Sequence, residues 1–339
     1  MTRSPSLTAD LVLEGGGVLG IGHVGAIQVL EDAGYSFPRV AGTSAGSIVG
    51  ALVAAGMPAS RLTEIMATLD YRRFADRSLL DRVPIGGPLL SLLLDDGVFE
   101  GDHLREWLGN LLVDECGVET FADLAVDDPA SSLPPERRFR LVVTATDVTR
   151  GELVHLPWDY ERIYGLVPGR QRVADAVRAS MSIPFFFEPV TLRGSNGTSS
   201  TLVDGGVLSN FPIDVFDRTD GQPPRWPTFG VKLLPVLPMD AAKLLPVVGL
   251  VKHGPVALAA DLVMTTIVGR DQAHLAKPWV KVRTMQVDTG GVNPVDFGLS
   301  RAQATTLFEN GRTAATRFLA GWDWQGYLAT HRGTEPPRT

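Results

Sequence analysis

The chain lacks the residues from which several common kinds of site are built. It contains one cysteine, Cys116, which excludes an intramolecular disulfide and any site with several thiolates. It has no H-E-x-x-H motif and no cluster of histidines and carboxylates, so we predict no catalytic metal and no bound cofactor. Lys and Arg number 31 against 38 Asp and Glu. Without a large basic excess to neutralise phosphates, nucleic acid is not an expected partner.

No segment has the pattern of a secretion signal or a membrane span. Residues 1–10 have no apolar core of the length that a signal peptide needs. The uncharged stretch 40–60 is long enough to be tested as a span, but its four glycines and Pro58 favour a tight turn and a closely packed helix. Together with the single cysteine, this predicts a soluble, cytoplasmic chain.

What the sequence does contain is typical of a large globular domain. Of the 339 residues, 44% are apolar and 20% are charged, which excludes wholesale disorder. Short apolar runs at 11–13 and 37–41 read as strands, each followed by a helical pattern, and further strands are expected at 140–146 and 229–234. This alternation predicts an α/β fold with a mainly parallel sheet.

The sequence Gly42-Thr43-Ser44-Ala45-Gly46 is a G-x-S-x-G motif between a predicted strand and a predicted helix. This context is that of a nucleophile elbow, a turn so tight that the residues two before and two after the serine must lack side chains. The serine hydroxyl then stands at the edge of the sheet, at the positive end of the following helix. We therefore predict Ser44 as a nucleophile, the alternative being an ordinary N-cap serine.

A second motif, Gly15-Gly16-Gly17-Val18-Leu19-Gly20, satisfies the dinucleotide fingerprint G-x-G-x-x-G. The acidic residue that would hold a ribose about 20 residues later is absent, and Ser44 lies near that place instead. A run of glycines can also turn several backbone N–H groups towards one point and so form an oxyanion hole. We favour the oxyanion loop, with the dinucleotide site and a purely structural loop as alternatives.

A nucleophilic serine needs a base, and Asp204 is the best candidate. The sequence Asp204-Gly205-Gly206 follows a predicted strand, and the two glycines let the chain turn away from the carboxylate. His253 and His274 follow in an order that an α/β-hydrolase triad would also give, but only 43 residues precede Ser44, fewer than that fold normally has. For His23, hydrogen bonding to a loop is a better interpretation than catalysis.

In combination, the three motifs resemble those of the patatin-like phospholipase family, bacterial members included. The resemblance covers roughly residues 10–320. Outside the motifs it includes the segments 22–34, 97–112, 140–151, 178–190, 201–216 and 296–311. It implies a three-layer α/β/α sandwich with a mainly parallel central sheet. It also implies a single domain at 7–330, with the motifs in a core at 10–216, a completing segment at 217–330 and a flexible tail at 331–339.

The resemblance also implies a chemistry and a substrate. It implies a serine acyl hydrolase that cleaves fatty-acyl esters of phospholipids or related lipids with a Ser44–Asp204 dyad. The remaining residues that it assigns are the oxyanion-hole residues Gly15, Gly16, Gly17 and Ala45 and the supporting glycines Gly20, Gly42, Gly46, Gly205 and Gly206. The apolar segment 242–269 is the best candidate for peripheral attachment to the inner membrane surface, with ordinary core as the alternative.

One position departs from the family pattern. Leu19 stands inside the glycine loop where the family usually has Arg or Lys. If that cation assists the oxyanion, its absence weakens the site. A catalytically weak lipid-binding or regulatory protein of the same fold is therefore the main alternative function.

Overall fold

A computed structural model describes residues 7–69, 101–234 and 276–332, apart from 293 and 295–297, together with positions 263 and 266. The apolar segment 89–94, almost all of 242–269, and the histidines at 253 and 274 lie outside these described residues. The expectation of a membrane-facing surface at 242–269 therefore stays a prediction.

The centre of the fold is an eight-stranded mixed sheet, to which a two-stranded parallel pair of β1 and β3 is added. The strands are β1 Leu7–Thr8, β2 Asp10–Leu13, β3 Tyr35–Ser36, β4 Val40–Thr43, β5 Leu141–Asp147, β6 Glu152–Leu156, β7 Val190–Arg193, β8 Ser199–Asp204, β9 Thr228–Leu234 and β10 Thr284–Asp288. In the large sheet the order is β10-β9-β2-β4-β5-β8-β7, with β6 also paired to β5. The pairs from β10 to β5 are parallel, as the alternating pattern predicts, and the pairs made by β6, β7 and β8 are antiparallel.

Helices flank this sheet and complete a three-layer α/β/α sandwich. They are α1 Ile21–Asp32, α2 Ala45–Ala54, α3 Ala59–Thr68, α4 Asp102–Cys116, α5 Trp158–Tyr164, α6 Val173–Ser180, α7 Pro278–Lys281, α8 Arg301–Gly321 and α9 Trp324–Tyr327. Helix α1 packs against α8 and α3, whereas α6 packs against α4 and α2. The buried faces of strands and helices join in one core.

Helix α4 begins at Asp102, and Gly101 precedes it in a left-handed conformation, with φ +71°. A carboxylate in the first turn interacts favourably with the helix dipole. The expected flexible tail begins too early, because Arg332 belongs to a helical turn and forms an ion pair with Asp217, the two side chains 2.6 Å apart.

The pairing of β5 places the ends of two other strands side by side. Strand β4 pairs with the first half of β5, up to Thr43 opposite Thr144. Strand β8 pairs with the second half, starting from Asp204 opposite Ala145. Because β6 pairs with residues 143–147 along the other edge of β5, β4 and β8 must share one edge. The residue after β4 and the last residue of β8 therefore meet.

None of the helices in the described ranges is both long and apolar enough to cross a membrane.

Candidate active site

The turn between β4 and α2 has the geometry of a nucleophile elbow. Ser44 has φ +51° and ψ −127°, a region that residues other than glycine rarely occupy. A Cβ atom on Gly42 would collide with the carbonyl oxygen of Gly46, and one on Gly46 would collide with that of Leu13. Both glycines of the motif are therefore required by close backbone contacts, which hold the serine in its strained conformation.

Asp204, the last residue of β8, lies buried at the same point. Its side chain is 1% exposed, and Oδ1 accepts a hydrogen bond from the N–H of Gly206 at 2.7 Å. Oδ2 is buried and makes no hydrogen bond with any residue that the structure describes. A Cβ atom on Gly205 would lie 2.6 Å from the carbonyl oxygen of Thr144, so only glycine fits after the aspartate.

The surroundings of Asp204 change its acidity. Burial raises the pKa of this carboxyl group from 3.8 to about 7, and the nearby Ser44 hydroxyl and the N–H of Gly206 oppose the increase. The carboxyl group therefore changes its charge near neutral pH. A group with a pKa close to the working pH is suited to accept and return a proton.

Two residues at the end of α6 hold the serine, and no motif pointed to either. The N–H of Ser44 donates to the hydroxyl of Ser180 at 2.8 Å. The Ser44 hydroxyl lies 3.5 Å from the sulfur of Met181. The following residue, Ser182, accepts from the N–H of Asp204 through its carbonyl oxygen at 2.9 Å, so this one segment contacts both the serine and the aspartate.

The glycine loop between β2 and α1 presents some but not all of its N–H groups. The N–H of Gly15 donates to the carbonyl oxygen of Asn210 at 3.1 Å, and the Asn210 side chain donates back to the Gly15 carbonyl at 3.1 Å. The expectation that Gly15 serves an oxyanion hole is therefore corrected, because its N–H is already engaged. Within the described ranges, the N–H groups of Gly16 and Gly17 donate to no acceptor.

Gly17 fixes the direction in which the loop turns. Its φ is +55°, and a Cβ atom there would collide with the carbonyl oxygen of Pro294. That oxygen accepts the N–H of Val18 at 2.9 Å. By contrast, a Cβ atom on Gly20 would meet that of Ala45 at an ordinary 3.7 Å, so contacts do not explain a glycine there.

Buried polar contacts anchor the loop at Glu14. His23 donates from Nε2 to the Glu14 carbonyl oxygen at 2.8 Å, and burial lowers the pKa of its ring to about 4. The Glu14 carboxylate accepts the N–H of Leu233 at 2.6 Å and forms a buried ion pair with Lys232. His23 is thus a neutral hydrogen-bond donor to the loop, as we expected of it.

Leu19 is fully buried and belongs to the apolar core. In this conformation its side chain therefore packs within the core. An oxyanion hole here would consist of backbone N–H groups.

An apolar groove begins beside the glycine loop and the start of α2. Its wall includes Gly17 and Ala45 of the proposed hole and Met181, which contacts the serine hydroxyl. The remaining lining residues are Val18, Gly20, Ile48, Val49, Met66, Leu69 and Trp107. The side chains of this groove are hydrocarbon, thioether or indole, so it is suited to an aliphatic chain.

The other candidate chemistries receive less support from the geometry. His155 lies on β6, and its Nδ1 is 3.7 Å from the carboxylate of Asp159 rather than near Ser44. In the ranges that the structure describes, no three His, Cys, Asp or Glu side chains converge as a metal site would require. The dinucleotide reading would need an acid at the end of β4, where the chain has the Ser44 elbow.

Comparison with known proteins gives consistent similarities. The sequence model of the patatin-like phospholipase family matches residues 11–217. The protein YqhO of Bacillus subtilis is 34% identical over 318 residues, which are 93% of this chain and 99% of that protein. The NTE family protein Rv2565 of Mycobacterium tuberculosis is 30% identical over 222 residues, 65% of this chain but only 30% of that protein.

A solved structure shares the fold. VipD from Legionella pneumophila aligns with a TM-score of 0.50 at 20% identity, covering 94% of this chain and 67% of its own. At this identity the likeness concerns the fold alone. The family model, in contrast, matches more than half of the chain and confirms the resemblance that the three motifs indicated. This chain belongs to the patatin-like phospholipase family.

Proposed function

We propose that the protein is a serine acyl hydrolase that cleaves fatty-acyl esters of phospholipids or related lipids. The observation that carries this proposal is the meeting of Ser44, held at positive φ, with Asp204, whose pKa is raised to about 7 by burial. The family to which the chain belongs supports the class of substrate.

In the first half of the reaction, the Asp204 carboxylate takes the hydroxyl proton of Ser44 as Oγ attacks the ester carbonyl carbon. The carbonyl oxygen becomes an oxyanion, and the N–H groups of Gly16, Gly17 and Ala45 donate to it. Such preorganised donors lower the barrier more in a water-poor site than they would in water. When the intermediate collapses, the leaving alcohol takes the proton from Asp204 and the acyl group stays on Ser44.

In the second half, water replaces the alcohol. Asp204 takes a proton from the water as its oxygen attacks the acyl carbonyl carbon, and the same N–H groups hold the second oxyanion. The ester bond to Oγ breaks, Ser44 recovers its proton from Asp204, and the fatty acid leaves. One carboxyl group thus serves as base and acid in both halves, which requires a pKa near the working pH.

The acyl chain of the substrate would occupy the apolar groove beside Gly17 and Ala45. The lining side chains are aliphatic or aromatic and so match a hydrocarbon chain. Burial of each CH₂ group of that chain contributes about 0.8 kcal/mol to the free energy of binding. Attachment to a membrane surface and a cytoplasmic location stay predictions from the sequence. We propose that the protein, in the cytoplasm, meets its lipid substrate at the inner membrane surface.

Fluorophosphonate labelling of the full-length protein tests the dyad directly. We expect the wild type to be labelled, Ser44→Ala to be unlabelled, and Asp204→Asn to react at least 100-fold more slowly, because loss of a general base costs on the order of 10²–10⁴ in rate. Ser209→Ala provides a matched serine control that should react as the wild type does. Hydrolysis of a panel of phospholipids by the unlabelled wild type then identifies the substrate.

Labelling that survives in Ser44→Ala would contradict the proposed nucleophile. A folded wild type that is never labelled, and that hydrolyses no lipid ester, would contradict the hydrolase. The lipid-binding alternative raised by Leu19 would then be the better hypothesis.

A further inference from the structure

A second pocket lies at the opposite end of the sheet from Ser44. It is bordered by residues at the beginnings of parallel strands: Asp10 of β2, Thr228 of β9, and Arg39, which precedes β4. Ser44 follows the end of β4. With roughly 3.3 Å per residue of extended chain, Arg39 and Ser44 are about 16 Å apart, so the two sites are separate.

The charges around this pocket are unequal. Four arginines line it, at positions 39, 138, 218 and 225, against two aspartates, Asp10 and Asp128. Three of the arginines have carboxylate partners: Arg39 pairs with buried Asp10, Arg225 with Asp128 at 2.6 Å, and Arg218 with Asp220 outside the pocket. The fourth, Arg138, is the arginine whose charge is available to a ligand.

Arg138 has no carboxylate partner among the residues that the structure describes. Its Nε donates to the carbonyl oxygen of Leu133 at 3.0 Å, which fixes the guanidinium at the pocket wall. A guanidinium has five N–H donors, so four remain on the two Nη atoms, in the fork that matches a carboxylate or phosphate. Half-buried, this group attracts an anion more strongly than a fully exposed one would.

A second donor lies nearby. The indole N–H of Trp226 is buried at the pocket, close enough to the Asp10 carboxylate to lower its pKa, although burial raises that pKa overall. The same N–H makes no hydrogen bond with any described residue. Buried donors without an acceptor are rare in folded proteins and are commonly satisfied by a ligand or water.

The rest of the wall is apolar and held in place. Phe139 and Phe216 line it beside Trp226, and the guanidinium groups of Arg39 and Arg225 stack on Phe216 at 4.8 Å and on Trp226 at 4.4 Å. These contacts orient the rings before any ligand arrives.

We propose that this pocket binds an organic anion, a carboxylate or phosphate carried on an apolar body. The anionic head lies on Arg138, and the apolar body lies against Phe139, Phe216 and Trp226. The site is distinct from the proposed acyl hydrolase site and does not depend on it.

Calorimetric titration of the full-length protein with decanoate and with decyl phosphate tests the proposal. We expect a binding event that is 10- to 100-fold weaker in Arg138→Gln, since hydrogen bonds to a charged group are worth that much in affinity. Arg170→Gln removes the same charge from an exposed arginine that forms no ion pair in the described part of the chain, and should bind as the wild type does. The tighter of the two ligands identifies the head group.

Binding of either ligand that is equal in wild type and Arg138→Gln would overturn the proposal, as would an equal loss in Arg170→Gln. Decanol binding as tightly as decanoate would overturn the anionic head, and inorganic phosphate binding as tightly as decyl phosphate would overturn the apolar body. Decanoate that binds in the groove beside Ser44 still binds in Arg138→Gln. Only binding that is weakened in this variant is therefore assigned to the Arg138 pocket.

A measurement on the wild type alone does not depend on the folding of a variant. A decanoate analogue with a photoreactive diazirine at its far end should cross-link to peptides that contain Phe139, Phe216 or Trp226. Cross-links confined to other peptides would overturn the assignment of the pocket.

Discussion

The position of Asp204 at the buried end of β8 determines the pKa of its carboxyl group. Its carboxyl group lies 1% exposed with one oxygen bonded to a backbone N–H, so burial dominates and raises its pKa to about 7. An exposed carboxyl group with a pKa of about 3.9 would be fully ionised at neutral pH and would be a much weaker base.

We therefore expect the rate of fluorophosphonate labelling to rise with pH through a midpoint near 7, because only ionised Asp204 can take the Ser44 proton. The rate should level off above pH 8. A midpoint near 4, the ordinary value for an exposed carboxyl group, would contradict the role of burial.

The same pKa makes a prediction about stability. Folded Asp204 keeps its proton up to about pH 7, whereas the unfolded chain releases it near 3.8, so its contribution is fully present below pH 4 and is lost as the pH rises to 7. The free energy of unfolding of the wild type should fall by about 4 kcal/mol over this range relative to Asp204→Asn. His23, whose pKa is lowered to about 4, acts in the opposite direction, and the comparison of the two proteins cancels it. Urea titrations at pH 4, 5.5 and 7 measure the difference, and a constant difference would contradict the shift.

Single residues were predictable where backbone geometry leaves one choice. The Ser44 turn excludes side chains at Gly42 and Gly46, and this restriction is written into the motif. Gly15 was different, because a glycine in such a run looks the same whether its N–H is free or engaged. Its partner, Asn210, is 195 residues away and belongs to no motif.

Helices α1 and α8 approach each other through glycines. A Cβ atom on Gly311 would collide with the carbonyl oxygen of Gly22, and one on Gly25 would collide with that of Phe308. Gly22 and Gly25 belong to the same glycine-rich stretch as the loop, but they serve helix packing. The sequence shows the glycines without showing which purpose each one has.

Gly311→Ala should therefore lower the free energy of unfolding by roughly 1–3 kcal/mol, the usual cost of overpacking a close contact. Gly321→Ala, at the end of the same helix, is the matched control. Its added Cβ meets nothing within 4 Å. Alanine there should leave stability unchanged or raise it by up to about 1 kcal/mol, because it favours the helix. Equal effects of the two changes in urea unfolding would contradict the contact.

The strand pattern predicted the parallel part of the sheet but not its antiparallel completion. Apolar runs separated by helices indicate parallel neighbours, and β2, β4 and β5 follow this rule. That β8 pairs with β5 in the opposite direction depends on contacts between distant segments, which local patterns do not encode. The meeting of Ser44 and Asp204 depends on this pairing. The motifs could therefore name Asp204 as the best candidate base without indicating how the strands bring it to Ser44.

The fold extends past the region that the family model matches. That match ends at residue 217, yet β9 lies between β2 and β10 in the sheet, and α8 packs on α1. Asp217 itself joins the two parts. Its carboxylate accepts from buried Arg283 at 2.6 and 2.8 Å and from Arg332 at 2.6 Å.

Asp217→Asn leaves the Arg283 guanidinium, which is 1% exposed, without its counter-charge. We expect the free energy of unfolding to fall by roughly 3 kcal/mol, since breaking a buried ion pair from one side costs about 3–5 kcal/mol. Asp220→Asn, which removes an exposed partner of Arg218, should cost less than about 1 kcal/mol. If thermal unfolding shows equal losses for the two variants, the segment 276–332 is not held by this carboxylate.

The positions of these strands along the chain also determine when the proposed active site can be completed during synthesis. Ser44, the proposed nucleophile, is made early. Asp204, the proposed base, follows 160 residues later, and β9, which pairs with β2 ahead of the glycine loop, comes later still. At roughly 5–20 residues per second, a ribosome needs about 8–32 seconds to travel from Ser44 to Asp204. A nascent chain, or one released before that point, therefore contains Ser44 without the carboxylate that we propose as its activating base.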